Sequence, residues 1–243
     1  MMYDSLCTEF YNADKKFSSP DEIAFYKKFL DKDDLILEPM CGSGRFLIPL
    51  LQEGFSVHGI DNSAAMLKSC KERAASLGLD PVLFDGSIET MSLDHLYNKI
   101  VIPYGSFQLL YPRSVAYTTL LTLKKHLHPN GKLILDLFIP WKWLYENSDE
   151  QSSERQVETG SNSIIKIKSH NQINKFEQYS LGENSYTKLV DNKVVSEENE
   201  QMHLTWYYHY EIGLILEKYG YKNISHEEHY FNNESHLIYT AER

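Results

Sequence analysis

The sequence predicts an α/β protein with a doubly wound, Rossmann-like sheet of seven strands, mostly parallel with the last strand antiparallel. A small antiparallel β-sheet is inserted before its end. Three observations carry this expectation. Five short apolar runs between Leu35 and Phe138 alternate with helical patterns, the signature of a parallel sheet covered on both faces. The first of these runs ends in a Gly-x-Gly turn, Gly42-Ser43-Gly44. Beyond Trp143 the chain changes to two-residue alternation, with Ile165 and Ile167 flanking Lys166, before helical period returns near Tyr210.

The segment up to Phe17 shows no clear period. Ser18-Ser19-Pro20-Asp21-Glu22 is a helix start, with a serine cap, proline in the first turn and acids facing the positive end of the dipole. The helix is expected to run to about Leu30. Leu35-Ile36-Leu37 reads as a buried strand, followed by the glycine turn and a helix from Arg45 to Gln52. Phe55 to Ile60 is the second strand and Ser63 to about Leu77 its helix. Pro81 to Phe84 is a third, shorter strand; Ile100 to Ile102 is the fourth, backed by a helix from about Ser114 to Leu127. After the turn Pro129-Asn130-Gly131 comes the fifth strand, Lys132 to Phe138.

The division expected is a core domain of residues 1–145 and 203–243, with 146–202 as an inserted antiparallel subdomain of three or four strands. Within it Val190-Asp191-Asn192-Lys193 reads as a tight hairpin. Gly220 ends the helix from Tyr210 to Tyr219, and two strands (Lys222 to Phe231, His236 to Ala241) follow, joined by Asn232-Asn233-Glu234. So short a link makes them antiparallel to each other.

Composition narrows the function. The 243 residues carry a formal charge of -10, which argues against gripping nucleic-acid phosphates or anionic lipid. No window approaches the ~18 uninterrupted apolar residues of a membrane span, and the N-terminus lacks the basic-then-apolar order of a signal peptide. Cys7, Cys41 and Cys70 are an odd set without paired spacing, which speaks against a disulfide framework or a zinc site. His226-Glu227-Glu228-His229 holds histidines three apart, which on a strand face opposite ways. A cytoplasmic, metal-free protein is expected.

Chemistry concentrates at the strand ends. Glu38 closes the first strand, and Gly42 and Gly44 let the backbone approach a ligand at a helix N-terminus. The third glycine of a dinucleotide fingerprint would fall at Leu47 and is absent. Asp61 closes the second strand 17 residues past Gly44, placed to accept from both hydroxyls of a ribose; it equally suits a helix cap in Asp61-Asn62-Ser63. Met66 lies at a depth to meet a planar base, although methionine on a helix is more often core filling. Asp85, in the turn Asp85-Gly86-Ser87, is a third carboxylate on the same edge. Ile102-Pro103-Tyr104-Gly105-Ser106 brings a fourth loop there.

With these residues in place the sequence resembles a class I S-adenosylmethionine-dependent methyltransferase. The resemblance rests on Glu38-Pro39-Met40-Cys41-Gly42-Ser43-Gly44-Arg45, Gly59-Ile60-Asp61-Asn62-Ser63 with Met66-Leu67, Asp85, Pro103 to Phe107, Pro129 to Leu133 and Leu216 to Tyr221. It implies S-adenosyl-L-methionine as cofactor. Glu38, Gly42, Gly44 and Arg45 would hold its methionine part, and Asp61, with Asn62 beside it, the ribose. Met66, Asp85, Gly86 and Ile88 would surround adenine, with Tyr104 beside the sulfonium and Tyr11 closing over it. The insertion resembles those of small-molecule methyltransferases, including amino-sugar and glycine N-methyltransferases. A small-molecule acceptor methylated at nitrogen or oxygen is therefore expected, with no nucleic-acid or membrane partner and a homodimer as a possibility. His203 and His209, among Trp206, Tyr207, Tyr208 and Tyr210, are the candidate bases; a structural role for each weighs more. A nicotinamide-dependent oxidoreductase and a catalytically silent S-adenosylmethionine-binding module are the alternatives.

Overall fold

The computed structural model describes residues 4–160, 162–231 and 234–243. Helix α1 (Ser5–Asp14) opens the chain; the sequence shows no period there because its buried residues, Leu6, Cys7, Thr8 and Phe10, form a narrow stripe. Helix α2 (Pro20–Tyr26) starts on a capping box in which Ser19 and Glu22 exchange side-chain and backbone hydrogen bonds. A 3₁₀ turn, Lys27–Phe29, prolongs it. Then β1 (Leu35–Pro39), α3 (Leu47–Gln52), β2 (Ser56–Asp61), α4 (Ala64–Ala75), β3 (Val82–Asp85), β4 (Tyr97–Ile102), α5 (Arg113–His126) and β5 (Leu127–Phe138) follow. Short helix α6 (Trp141–Tyr145) leads into four long strands: β6 (Glu150–Gly160), β7 (Ser163–Asn174), β8 (Tyr179–Val190) and β9 (Lys193–Thr205). Helix α7 (His209–Lys218) and strands β10 (Lys222–Phe231) and β11 (Glu234–Glu242) end the chain.

The seven-stranded sheet has the order β10-β11-β5-β4-β1-β2-β3. β11 runs antiparallel to both β5 and β10, while β4, β1, β2 and β3 continue in parallel from β5. Its central strands β1, β4 and β5 carry continuous apolar runs because successive residues enter opposite cores. Leu37, Ile100 and Leu135 pack with α5 and α7, whereas Ile36, Val101 and Ile134 pack with α2, α3 and α4. The predicted turn Pro129-Asn130-Gly131 is instead taken up within β5. Tyr97 pairs with Leu127 and Lys99 with Lys132, so the extra residues form a bulge. Asn232 and Asn233 of the other predicted turn lie outside the described residues.

The second sheet is an antiparallel meander, β6-β7-β8-β9. Its β8–β9 hairpin turns at Asp191 and Asn192, both at positive φ (49° and 61°), the geometry that side chains able to bond their own backbone tolerate. One face carries Ile165, Ile167 and Tyr186, which pack against Leu6, Cys7 and Phe10 of α1. Glu198 of β9 accepts from the Leu6 and Cys7 N–H groups at 2.9 and 3.0 Å, so the sheet caps the helix that covers it. Lys188–Glu9 and Arg155–Asp14 ion pairs continue the contact at 2.7 and 3.1 Å. On its other side α1 reaches the seven-stranded domain, with Asn12 donating to Ser69 at 2.7 Å. Among the described residues no helix is long and apolar enough to cross a membrane.

Candidate active site

The chain leaves β1 through Met40, Gly42 and Gly44, all at positive φ (58°, 52° and 78°). The two glycines do different work. A Cβ on Gly44 would lie 2.7 Å from both the Cys70 sulfur and Ile48 Cδ1, so this glycine lets turn and helices pack. A Cβ on Gly42 would meet nothing nearer than the Met66 sulfur at 3.8 Å, leaving its surface open. Asp61 fastens the turn to β2: its carboxylate accepts from the Gly42 N–H at 2.8 Å and the Ser63 N–H at 2.9 Å. The cap of α4 is Ser63, which accepts from the Met66 N–H at 3.1 Å. Burial raises the Asp61 pKa and these backbone donors oppose the rise.

A cleft of about 860 Å³, open mouth included, lies at these strand ends. Glu38, Gly42, Arg45, Asp61 and Asn62 line one part of it, and Met66, Gly86, Ile88, Tyr104 and Tyr11 the rest. Glu38 is 3% exposed and its Oε2 has no hydrogen-bond partner. Burial, then the nearby Asp61 carboxylate, pushes its pKa well above the usual carboxylate range. A buried acceptor without a donor is costly, and this one waits beside a cleft.

Arg45 donates to Glu22 at 2.9 Å and lies 4.0 Å over the Tyr104 ring. It also hydrogen-bonds the Tyr11 hydroxyl, partly offsetting the rise that burial imposes on that phenol. The Tyr104 hydroxyl meets Ser18 Oγ at 2.5 Å, and its own pKa is raised by burial. Met40, Cys41, Glu89, Pro103, Ser106, Leu109 and Leu110 complete the lining. Of these, Leu109 and Leu110 carried no signal in the sequence, because the 3₁₀ turn Ser106–Leu109 that aims them has no distinctive composition.

Several expectations are placed elsewhere. Gly44 faces the packing between turn and helices rather than the cleft. Asp85 is exposed at the end of β3, in register with Asp61, and does not line the cleft; its neighbour Gly86 does. His203 alternates with Met202 and Leu204 on β9 and therefore projects from the opposite face. Its ring stacks on Tyr111 at 3.9 Å, and burial lowers its pKa. His209 opens α7, its Nδ1 2.7 Å from the Tyr239 hydroxyl and its ring 4.0 Å from His226. Neither histidine borders the cleft or the cavity described next.

That second cavity lies between α1 and the inner face of the meander. Phe10, Tyr11, Trp143 and Tyr186 give it aromatic walls, and Ser169, Ser180, Asn171 and Asn184 neutral polar groups. Sequence alternation signalled the sheet but not which face would be covered, since the covering helix was itself hidden. Tyr11 borders both cavities.

Residues 36–131 match a family described as a methyltransferase domain. YqeM of Bacillus subtilis is 30% identical over 109 residues, 44% of this chain and 43% of that protein. A ubiquinone biosynthesis O-methyltransferase of Rickettsia akari is 27% identical over 112 residues, 46% of this chain and 43% of its own. The matches thus span less than half of these relatives' length. Among solved structures, an S-adenosylmethionine-dependent methyltransferase from Clostridium acetobutylicum superposes with a TM-score of 0.76 at 16% identity, covering 96% of this chain and 95% of its own. CalS10, an amino pentose methyltransferase from Micromonospora echinaspora, gives 0.71 at 18%, covering 99% and 98%. KedS8, a sugar N-methyltransferase from Streptoalloteichus, gives 0.72 at 15%, covering 96% and 90%. Residues 36–131 thus carry the similarity to a methyltransferase domain, and the chain as a whole shares the fold of these solved methyltransferases. The cleft bounded by Glu38, Asp61 and Tyr104 lies at the strand ends of that fold.

Proposed function

We propose that this chain binds S-adenosylmethionine in the strand-end cleft and methylates a nitrogen or oxygen of a small-molecule acceptor held beneath the four-stranded sheet. The observation that carries the reading is Tyr11, which borders both cavities and so marks where a donor in one would meet an acceptor in the other. The cleft fits the cofactor on its own chemistry: the unpartnered Glu38 Oε2 suits an ammonium, and the open surface of Gly42 suits close approach of a ligand.

Glu38 and the Gly42 backbone would hold the amino-acid part of the cofactor, with Arg45 near its carboxylate. Asp61 has lone pairs left for the ribose hydroxyls, and Met66 and Ile88 would flank the base. When bound, the cofactor supplies a methyl group already made electrophilic by its sulfonium. The protein's task is then alignment and exclusion of water. Helix α1 and the meander would wall off the acceptor, with Tyr104 lining the cleft and Tyr11 standing at both cavities. Holding two reactants in line can supply ~7–11 kcal/mol of barrier reduction. An amine acceptor must arrive without its extra proton, and a hydroxyl needs a base; with His203 and His209 facing elsewhere, an amine is the simpler acceptor. Aromatic walls interleaved with amide and hydroxyl side chains suit a polyhydroxylated amine, in keeping with the amino pentose and sugar acceptors named for CalS10 and KedS8.

The test is incubation with methyl-labelled S-adenosylmethionine and a panel of amino sugars, simple amines and their hydroxyl counterparts, read by mass spectrometry. Label on an amino sugar but not on its hydroxyl counterpart is the expected result. Label confined to protein or RNA substrates would overturn the small-molecule reading.

A further inference from the structure

Asp136 stands near the C-terminal end of β5 with no exposed surface. Three donors converge on its carboxylate: the Tyr104 N–H at 2.7 Å and the Tyr26 hydroxyl at 2.5 Å on one oxygen, and His236 Nδ1 at 2.7 Å on the other. His236 lies on β11 opposite Phe138, two residues from the pair Ile238–Asp136, and is itself buried. It is a diagonal neighbour on the same face of the sheet. A carboxylate buried this deeply adds little net stability over an apolar residue of similar size, so packing alone does not account for it.

The cluster's position does. Tyr104 is held at a φ of 58°, a left-handed conformation that costs a side-chain-bearing residue about 1–2 kcal/mol. Its peptide N–H is the group the carboxylate grips, and its ring lines the cleft and carries the Arg45 guanidinium on its face. Tyr26 brings α2 to the same carboxylate, while Ser18, just before α2, meets the Tyr104 hydroxyl. One buried carboxylate thus ties β5, β11 and α2 to the loop after β4.

We propose that Asp136 and His236 are positioning residues for methyl transfer: the carboxylate clamps the Tyr104 peptide in its strained turn, and His236 fixes the carboxylate. This rests on the methyltransferase reading above. Neither residue borders the cleft, and both act through Tyr104. The competing account is that Gln108 suffices to hold the loop, since it already bonds both the N–H and the carbonyl of Phe138 at 2.9 Å.

Two readouts on the full chain separate these accounts: the affinity for S-adenosylhomocysteine by calorimetry and hydrogen exchange at the Tyr104 amide. His236→Leu removes the donor but keeps apolar bulk, whereas His236→Asn keeps a donor where Nδ1 stands. The Leu variant is expected to lose about tenfold in affinity, the size of one charge-assisted hydrogen bond, and to exchange the Tyr104 amide faster. The Asn variant is expected to recover most of both. Asp136→Asn, which cannot accept from all three donors, is expected to resemble the Leu variant or fall below it. Leu and Asn variants that fold and match the wild type in both readouts would overturn the proposal. So would an Asn variant no better than Leu, because packing would then be the histidine's role. Should the wild type itself fail to bind S-adenosylhomocysteine, the methyltransferase reading falls, while the exchange comparison still decides the clamp.

Discussion

The two sheets solve different problems. The central strands of the seven-stranded sheet are buried on both faces, and its cleft is framed by the backbone of a turn at positive φ together with strand-end carboxylates and a loop held at Tyr104. The four-stranded sheet is covered on one face by a single helix, and its cavity is made by side chains on strands that alternate in and out. A backbone-built site constrains residue types tightly, because only glycine fits some positions and only a short acid others. A side-chain-built site leaves each inward position free to change without disturbing the ladder. On the proposed function, the donor half would therefore be the general part of the molecule and the acceptor half the specific part.

The sharpest way to break that comparison is at the two glycines of the turn. Gly44→Ala is expected to cost roughly 2–4 kcal/mol of stability, from left-handed strain plus overpacking against Cys70 and Ile48. Gly42→Ala should cost only the strain, about 1–2 kcal/mol, while weakening cofactor-analogue binding. Denaturant melts of both variants check the order; equal losses would remove the distinction between a packing and a ligand-facing glycine. Next in size, Asp61→Ala should weaken S-adenosylhomocysteine at least about tenfold, ~1.4 kcal/mol, because it removes both the proposed ribose acceptor and the tether to Gly42. Unchanged affinity by calorimetry would take Asp61 out of the site.

Phe10→Ala probes the other half. Phe10 packs edge-on to Tyr186 with ring centroids 5.7 Å apart. Its loss should free α1 from the meander, seen as faster amide exchange across residues 5–14, while the unfolding midpoint of the seven-stranded domain holds. A global loss of stability would mean that the two halves fold as one unit. The smallest effect is in pH. Burial lowers the pKa of His203 from its ordinary 6.5, so below 6.5 the unfolded state binds more protons than the folded one. Stability tied to this residue is present above that pH and lost as pH falls through the folded value. His203→Gln should flatten the part of the stability–pH curve that lies below the ordinary histidine value of 6.5, and an unaltered curve would contradict it.

What could be read from sequence follows the same division. The parallel strands announce themselves because double burial makes them continuously apolar, and Glu38, Gly42 and Asp61 stand at turns whose chemistry is local. Leu47, fully buried where a dinucleotide fingerprint has its third glycine, was legible for the same reason. Helix α1 was not: Leu6 and Phe10 are too sparse to show a period, and their partners Ile165, Ile167 and Tyr186 lie more than 150 residues away. For His203 and His209, where a structural role already weighed more, the aromatic neighbours were legible because they are local, while facing is not. His203 sits between two cavity-lining residues, one position out of phase. Asp136 and His236 are 100 residues apart, and nothing local ties either to the strand-end loop they meet.

Calorimetric titration with S-adenosylhomocysteine, with NAD and NADP run beside it, tests the central claim most directly. The cleft bounded by Glu38, Gly42, Asp61 and Tyr104 predicts saturable, one-to-one binding of S-adenosylhomocysteine, abolished or severely weakened in Asp61→Ala, and none of either nicotinamide cofactor. Binding of NAD or NADP in its place, or S-adenosylhomocysteine binding indifferent to Asp61, would contradict it.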